Sequence, residues 1–189
     1  MSAANPFTRE IIKNALVAIG EEMFLALKRT SMSPIIYEAL DYGIGLTDAR
    51  GQLISQGNGI PGFIGTLDGA VRSVLDKFPL EEILPGDMFI TNDPYSGGGT
   101  HLSDVSMIMP VFHQERLIAW TANKAHWTEV GGKDPGSFSA DASEIYQEGL
   151  QFPTVRIYDR GRINQALLDM IAANVRLPQM TLGDLHACA

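Results

Sequence analysis

An α+β fold is the expectation for this chain, and three observations carry it. A long helical pattern opens the sequence. Further helical patterns occur at 67–78 and 164–176. The apolar runs between them pair as antiparallel hairpins instead of alternating one by one with helices.

Asn5-Pro6-Phe7-Thr8-Arg9-Glu10 is a helix start: Asn5 can cap, and Pro6 takes the first helical position, where no N–H is needed. Ile11, Ile12, Leu16, Ile19, Met23, Phe24, Leu25 and Leu27 then recur at helical spacing. One amphipathic helix should therefore run to about Thr30, closed by Ser33-Pro34. Residues 43–48 and 52–56 read as short strands. The turn Asp48-Ala49-Arg50-Gly51 joins them, with Gly51 free to take positive φ. In the helix at 67–78, Leu67, Val71, Val74, Leu75 and Phe78 share one face. Pro85-Gly86-Asp87 turns the chain into a strand at Met88-Phe89-Ile90-Thr91.

The runs at 105–112 and 116–123 are almost continuously apolar, as buried strands are, and form a hairpin around His113-Gln114-Glu115. Residues 131–153 are a long segment of Gly, Pro, Asp and Ser, a composition that often marks functional loops. The helix at 164–176 follows. Another begins near Leu182-Gly183-Asp184-Leu185, and the chain stops within it without a polar tail. Residues 1–189 thus read as a single domain, the N-terminal portion of a longer protein.

Composition narrows the function classes. The chain carries 45% hydrophobic residues, ordinary for a folded protein. No stretch reaches the roughly 18 apolar residues of a membrane span. The N-terminus lacks the basic start and apolar run of a secretion signal. A single cysteine, Cys188, precludes an internal disulfide. The expected location is the cytoplasm. A formal charge of −8 without a basic tract argues against nucleic acid.

Two blocks carry the chemistry. Asn92-Asp93-Pro94-Tyr95-Ser96-Gly97-Gly98-Gly99-Thr100-His101-Leu102-Ser103-Asp104 is answered by Ala125-His126-Trp127-Thr128-Glu129-Val130-Gly131-Gly132. His101, Asp104 and His126 sit beside turn-forming backbone, where core packing alone would not ask for imidazole or carboxylate. A hairpin with Asp104 at one open end and His126 at the other brings them together, because paired strands lie about 4.8 Å apart. The set N, O, N can hold one divalent ion and suits Zn, Mn or Fe; ligand type does not choose among them. His113 and His186 have no such company. Glu129 reads either as a solvated loop acid or as a general base or partner to metal-bound water. Asp41, in Glu38-Ala39-Leu40-Asp41-Tyr42, reads from its surroundings as a turn or helix cap. Gly97-Gly98-Gly99 is not a phosphate loop, since no Gly-Lys-Ser/Thr follows and no helix opens.

These blocks, with Leu40-Asp41-Tyr42, Asp48-Ala49-Arg50-Gly51-Gln52-Leu53, Pro135-Gly136-Ser137 and Glu144-Ile145-Tyr146-Gln147-Glu148-Gly149-Leu150, resemble the hydantoinase B/oxoprolinase family over nearly the whole chain. The resemblance implies that His101, Asp104 and His126 hold a divalent metal, with Asp41 as a further ligand. It implies an ATP-dependent hydrolase of cyclic amides such as hydantoins, oxoproline or lactams. In this scheme a hydantoinase A-like partner subunit binds ATP and activates the small-molecule substrate in a hetero-oligomer. Metal-activated water on this subunit then completes the hydrolysis. Trp127 stands where many members have a second His, and Glu129 where Asp is common; both bear on substrate more than on the ion. Two alternatives remain: a subunit of an ATP-dependent ketone carboxylase, of the acetone or acetophenone type, and a non-catalytic assembly fragment.

Overall fold

The computed structural model describes residues 5–189. The opening helix forms as its capping residues direct. In α1 (Pro6–Thr30), Asn5 Oδ1 accepts the Phe7 amide at 3.0 Å, and Lys28 and Arg29 occupy the last turn, where cations suit the carbonyl end of the helix. A single helical turn, α2 (Pro34–Tyr37), leads into β1 (Tyr42–Asp48) and β2 (Leu53–Gly59). The turn between these strands works as its residues suggest. Asp48 Oδ1 accepts the amides of Arg50 and Gln52, and Gly51 takes φ 81°.

After α3 (Pro61–Ile64) and α4 (Leu67–Lys77) comes β3 (Met88–Thr91), then the long hairpin of β4 (Asp104–His113) and β5 (Arg116–His126). The chain closes with β6 (Val155–Asp159), β7 (Arg162–Ile163), α5 (Gln165–Asn174) and α6 (Pro178–Cys188). Among the described residues the strands form one sheet in the order β2-β1-β5-β4-β3-β6-β7, every neighbouring pair antiparallel. The α+β expectation holds, and the long hairpin lies in the middle of the sheet.

Strand alternation sorts side chains to two faces. Tyr42, Ile44, Ile90, Val105, Met107 and Ala125 face one core, with Phe24 and Leu27 of α1, Ile36 of α2, Leu168 and Ile171 of α5 and Leu185 of α6. Phe89, Ile108, Trp120 and Ala122 face the other, covered by Leu67, Ala70, Val71 and Val74 of α4. Helix α4 lacks a side-chain N-cap, because Thr66 donates its hydroxyl to the Phe63 carbonyl. A missing cap costs about 1 kcal/mol. Fully burying one Leu or Val contributes roughly 1.5–3 kcal/mol, so packing decides that this helix forms.

Four differences from expectation have physical causes. First, α1 is buried only at Gly20, Phe24 and Leu27; Phe7, Ile11, Ile12, Val17 and Ile19 are exposed. Spacing found the helix but could not show that only its second half meets the sheet. Second, β6 and β7 fall in residues 154–163, to which the sequence reading assigns no element. The signal for β6 is present in Val155 and Ile157 alternating with Arg156 and Tyr158, and Arg160 and Gly161 form a two-residue turn to β7 with φ 50° and 77°. Third, α5 ends at Asn174, not at Arg176. Val175 is extended, and Pro178 opens α6 four residues earlier than Leu182 suggested. Fourth, the long hairpin pairs regularly from Asp104↔His126 to Val111↔Ala119 and then shifts to Phe112↔Leu117, which leaves Ile118 as an extra residue on β5.

No helix among the described residues is long and apolar enough to cross a membrane.

Helix α1 crosses β2 where backbone meets backbone. A Cβ on Gly57 would lie 2.6 Å from the Gly20 carbonyl oxygen. Gly57→Ala is therefore expected to destabilise the fold by about 1–3 kcal/mol, as overpacking does, and to lower Tm by on the order of 5 °C. Thermal denaturation checks this; an unchanged Tm would refute the close crossing.

Candidate metal centre

The hairpin register builds the site. Asp104 is the first residue of β4 and pairs directly with His126, the last of β5. Pairing continues one step beyond, with the Trp127 amide donating to the Ser103 carbonyl at 2.8 Å. His101 arrives on the turn before β4, held by the Asp104 amide donating to its carbonyl at 3.0 Å. The His126 amide donates to the Asp41 carbonyl at 3.0 Å, which draws the start of β1 to the same place.

The side chains converge. His101 Nε2 lies 3.0 Å and His126 Nδ1 3.1 Å from the same oxygen, Asp104 Oδ1. The two rings stand 4.9 Å apart. Ligand atoms of all three residues fall within 4.8 Å of one another. Thr100 donates its hydroxyl to Asp104 Oδ2, so both carboxylate oxygens are engaged. Asp41 stands at the rim: its Oδ2 is 4.0 Å from His126 Nδ1 and its side chain is 36% exposed.

Burial pushes the Asp104 carboxyl up, but hydrogen bonds from His101, His126 and Thr100 outweigh it and hold the group far below the usual carboxylate range. His101 is raised above 6.5, first by its hydrogen bond to Asp104 and then, against some desolvation, by the charges of Asp104, Glu148 and Asp41. A buried carboxylate serving two imidazoles through one oxygen is a donor set that a divalent ion fits, the ion taking the place of the protons that bind the cluster together.

The surrounding residues explain why the motif is so long. The glycines are there because backbone packs on backbone. A Cβ on Gly98, at φ 65°, would lie 2.5 Å from the Thr66 carbonyl, and one on Gly99 2.7 Å from the Asp93 carbonyl. Asn92 is fully buried and fully paired: its amide donates to the Leu102 and Leu150 carbonyls, and its oxygen accepts the Phe152 amide. Lys124 shares the face of Asp104 and His126. Its Nζ donates to Thr66 Oγ1 at 2.6 Å and to the Gly98 carbonyl, and so clamps the glycine loop onto the α3–α4 junction. Burial pulls the Lys124 ammonium down to about 8, with the Asp104 charge opposing.

Sequence reasoning did not single out Thr100, Asn92 or Lys124. A lysine inside an apolar strand run was the available signal for the last. Trp127 alternates to the opposite face, is fully buried and packs edge-on against Phe152. Glu129, read either as a solvated loop acid or as a general base or partner to metal-bound water, is neither solvated nor grouped with the three. It is 1% exposed, and its Oε1 accepts the amides of Gly131 and Arg176. Its carboxylate thereby stops α5 and positions the corner to α6; no contact ties it to the three-residue cluster. His113 and His186 are exposed and stand outside that cluster.

The profile of the hydantoinase B/oxoprolinase family matches residues 5–189. The chain belongs to this family. It is 36% identical over 187 residues to caprolactamase subunit beta of Pseudomonas jessenii, covering 99% of this chain and 32% of the relative. It is 31% identical over 165 residues to 5-oxoprolinase of Saccharomyces cerevisiae, covering 87% of this chain and 13% of that one. The chain thus spans a third or less of the length of these curated relatives. The crystal structure of ATP-dependent caprolactamase from Pseudomonas jessenii superposes with a TM-score of 0.90 over 99% of this chain, at 35% identity. A structure of acetone carboxylase gives the same TM-score at 20% identity over 97% of the chain, a likeness of fold.

Two outcomes follow from the geometry. Lys124→Met leaves the Thr66 hydroxyl and the Gly98 carbonyl without their donor. It is expected to destabilise the chain by about 1–3 kcal/mol and to weaken divalent-ion binding, read by chemical denaturation and ion titration of the same variant. The second concerns pH. Because the His101 pKa is raised, its protonated form stabilises the ion-free fold fully below the ordinary 6.5, and that contribution fades as pH rises through the raised value. A bound ion needs the proton gone, so ion affinity runs the other way. Titration at about pH 5.5 and about pH 8, either side of the ordinary His value, should show weaker binding at the lower pH.

Proposed function

We infer that this chain carries the metal-binding portion of an ATP-dependent cyclic-amide hydrolase. The observation that supports this most is the pair of imidazoles on one buried Asp104 oxygen, in a chain 36% identical to caprolactamase subunit beta over nearly its full length. His101, Asp104 and His126 would hold one divalent ion, and Asp41 at the rim is the further ligand. Zn, Mn and Fe all suit these donors. Such an ion lowers the pKa of water towards neutrality and polarises a carbonyl.

The chain's own residues do the rest. Thr100 and the two histidines keep Asp104 anionic. The His126 amide fixes Asp41 through its carbonyl. Glu129 and Arg176 hold the corner behind the site. ATP is assigned to a hydantoinase A-like partner subunit, which would activate the amide carbonyl before hydrolysis; the words "ATP-dependent" and "subunit" in the names of the caprolactamase relative support this division. Amides are poor electrophiles, so activation in one subunit and water delivery in the other is chemically coherent.

Elemental analysis of the purified chain should find about one Mn, Zn or Fe per chain, lost in His126→Ala. With the partner subunit and ATP, His101→Ala combined with Asp104→Ala should abolish lactam hydrolysis; full activity of that variant would sink the proposal. ATP-dependent fixation of bicarbonate onto a ketone by the same complex would instead identify a carboxylase. Partner binding without any metal would identify an assembly piece.

A further inference from the structure

A recess of about 190 Å3 opens beside His101, lined by Ser137, Phe138, Ser139, Ala140 and Glu148. It is smaller than the roughly 300–1,000 Å3 sites of drug-sized ligands and suits a single small ring. The wall is locked. Ser137 is buried at φ 54°, accepts the Val130 amide on its hydroxyl and donates that hydroxyl to the Gly131 carbonyl. This turn presents Phe138, which is 75% exposed with its ring edge-on to His101 at 6.4 Å.

Two polar groups in this wall lack partners. The Ser139 hydroxyl is buried without a hydrogen bond. Glu148 caps the short helical turn Ile145–Gln147 through its backbone, yet its half-buried carboxylate makes no hydrogen bond or ion pair among the described residues. Its charge reaches His101. An ionised carboxylate can only accept hydrogen bonds, and one with no protein partner can exchange its water for a ligand N–H. Phe138 and Ala140 offer apolar surface beside it.

Resting on the hydrolase reading above, we propose that this recess is the substrate subsite for a small cyclic amide with a free N–H, which Glu148 accepts while Phe138 covers the ring methylenes. A small ring forces its amide cis, so N–H and C=O leave the same edge. With the N–H on Glu148, the carbonyl is directed along the same wall towards His101. The subsite thereby selects unsubstituted over N-alkylated amides.

Caprolactam and N-methylcaprolactam are the probes, with calorimetric binding to the metal-loaded protein without ATP and KM in the complex with its partner. Glu148→Ala should weaken caprolactam binding and raise its KM about tenfold or more, leave N-methylcaprolactam unchanged, and keep the metal. Glu148→Gln, which retains a carbonyl acceptor, should recover part of the loss. Phe138→Ala, at an exposed position where folding is not at stake, should weaken both amides alike. Unchanged caprolactam binding in Glu148→Ala, equal losses for both amides, or no binding of either by the unaltered protein would overturn the subsite. These readouts separate the two readings. Metal retained with no Glu148 effect sinks the subsite alone; selective caprolactam binding by a protein that holds no metal sinks the metal reading alone.

Discussion

Everything at the site depends on one antiparallel pair, Asp104 opposite His126, in the middle of the sheet. Two side chains on directly paired residues are held at a separation set by backbone hydrogen bonds, not by side-chain choice. With β1 on one side of the hairpin and β3 on the other, neither strand can slide without breaking two ladders. The cluster is therefore preorganised: its carboxylate and one imidazole are in place before any ligand arrives, and only His101, on a turn, has local freedom.

A central sheet gives rigidity at the expense of solvation. Asp104, Lys124 and Asn92 are all buried, and each would be costly if unpaired. The fold answers each in turn. Asp104 gathers His101, His126 and Thr100; Lys124 reaches Thr66 and the glycine loop; Asn92 bridges Leu102, Leu150 and Phe152. The length of the glycine block thus has a physical reading. It supplies carbonyls and a hydroxyl at fixed places for groups that water cannot reach.

Much of this was legible beforehand, and the exceptions are informative. Capping residues, the apolar face of α4 and the near-continuous hairpin runs report local preferences, so the helices at the start, middle and end and the pairing of 105–112 with 116–123 could be read directly. The approach of Asp104 and His126 followed from that pairing, and His101 joined them only through its spacing to Asp104 in the glycine-rich loop. What could not be read depends on tertiary partners. Whether the first half of α1 packs, whether Glu129 or Glu148 faces the cluster, and where α5 stops are each decided by residues distant in sequence: the Arg176 amide that captures Glu129 lies 47 positions away. The short strand β7, two residues long, falls below what period-two alternation can signal. Asp41 sits between these cases, since its residues suggested only a turn and its place at the rim comes from a backbone bond to His126.

The extra residue Ile118 has a wider meaning. It lies near the hairpin turn, outside the stretch of β5 that pairs with β1, which runs from Ala119 to Ala125. Deleting it would restore regular pairing at the turn and still leave Asp104 facing His126, because the offset lies wholly on the far side of Val111↔Ala119. A one-residue change nearer the open end would instead leave the Asp104 and His126 side chains on opposite faces of the sheet. The hairpin is thus divided into a segment whose length can drift over evolutionary time and one whose count is fixed. Insertions and deletions among relatives should accumulate around residues 112–118 and spare residues 119–126.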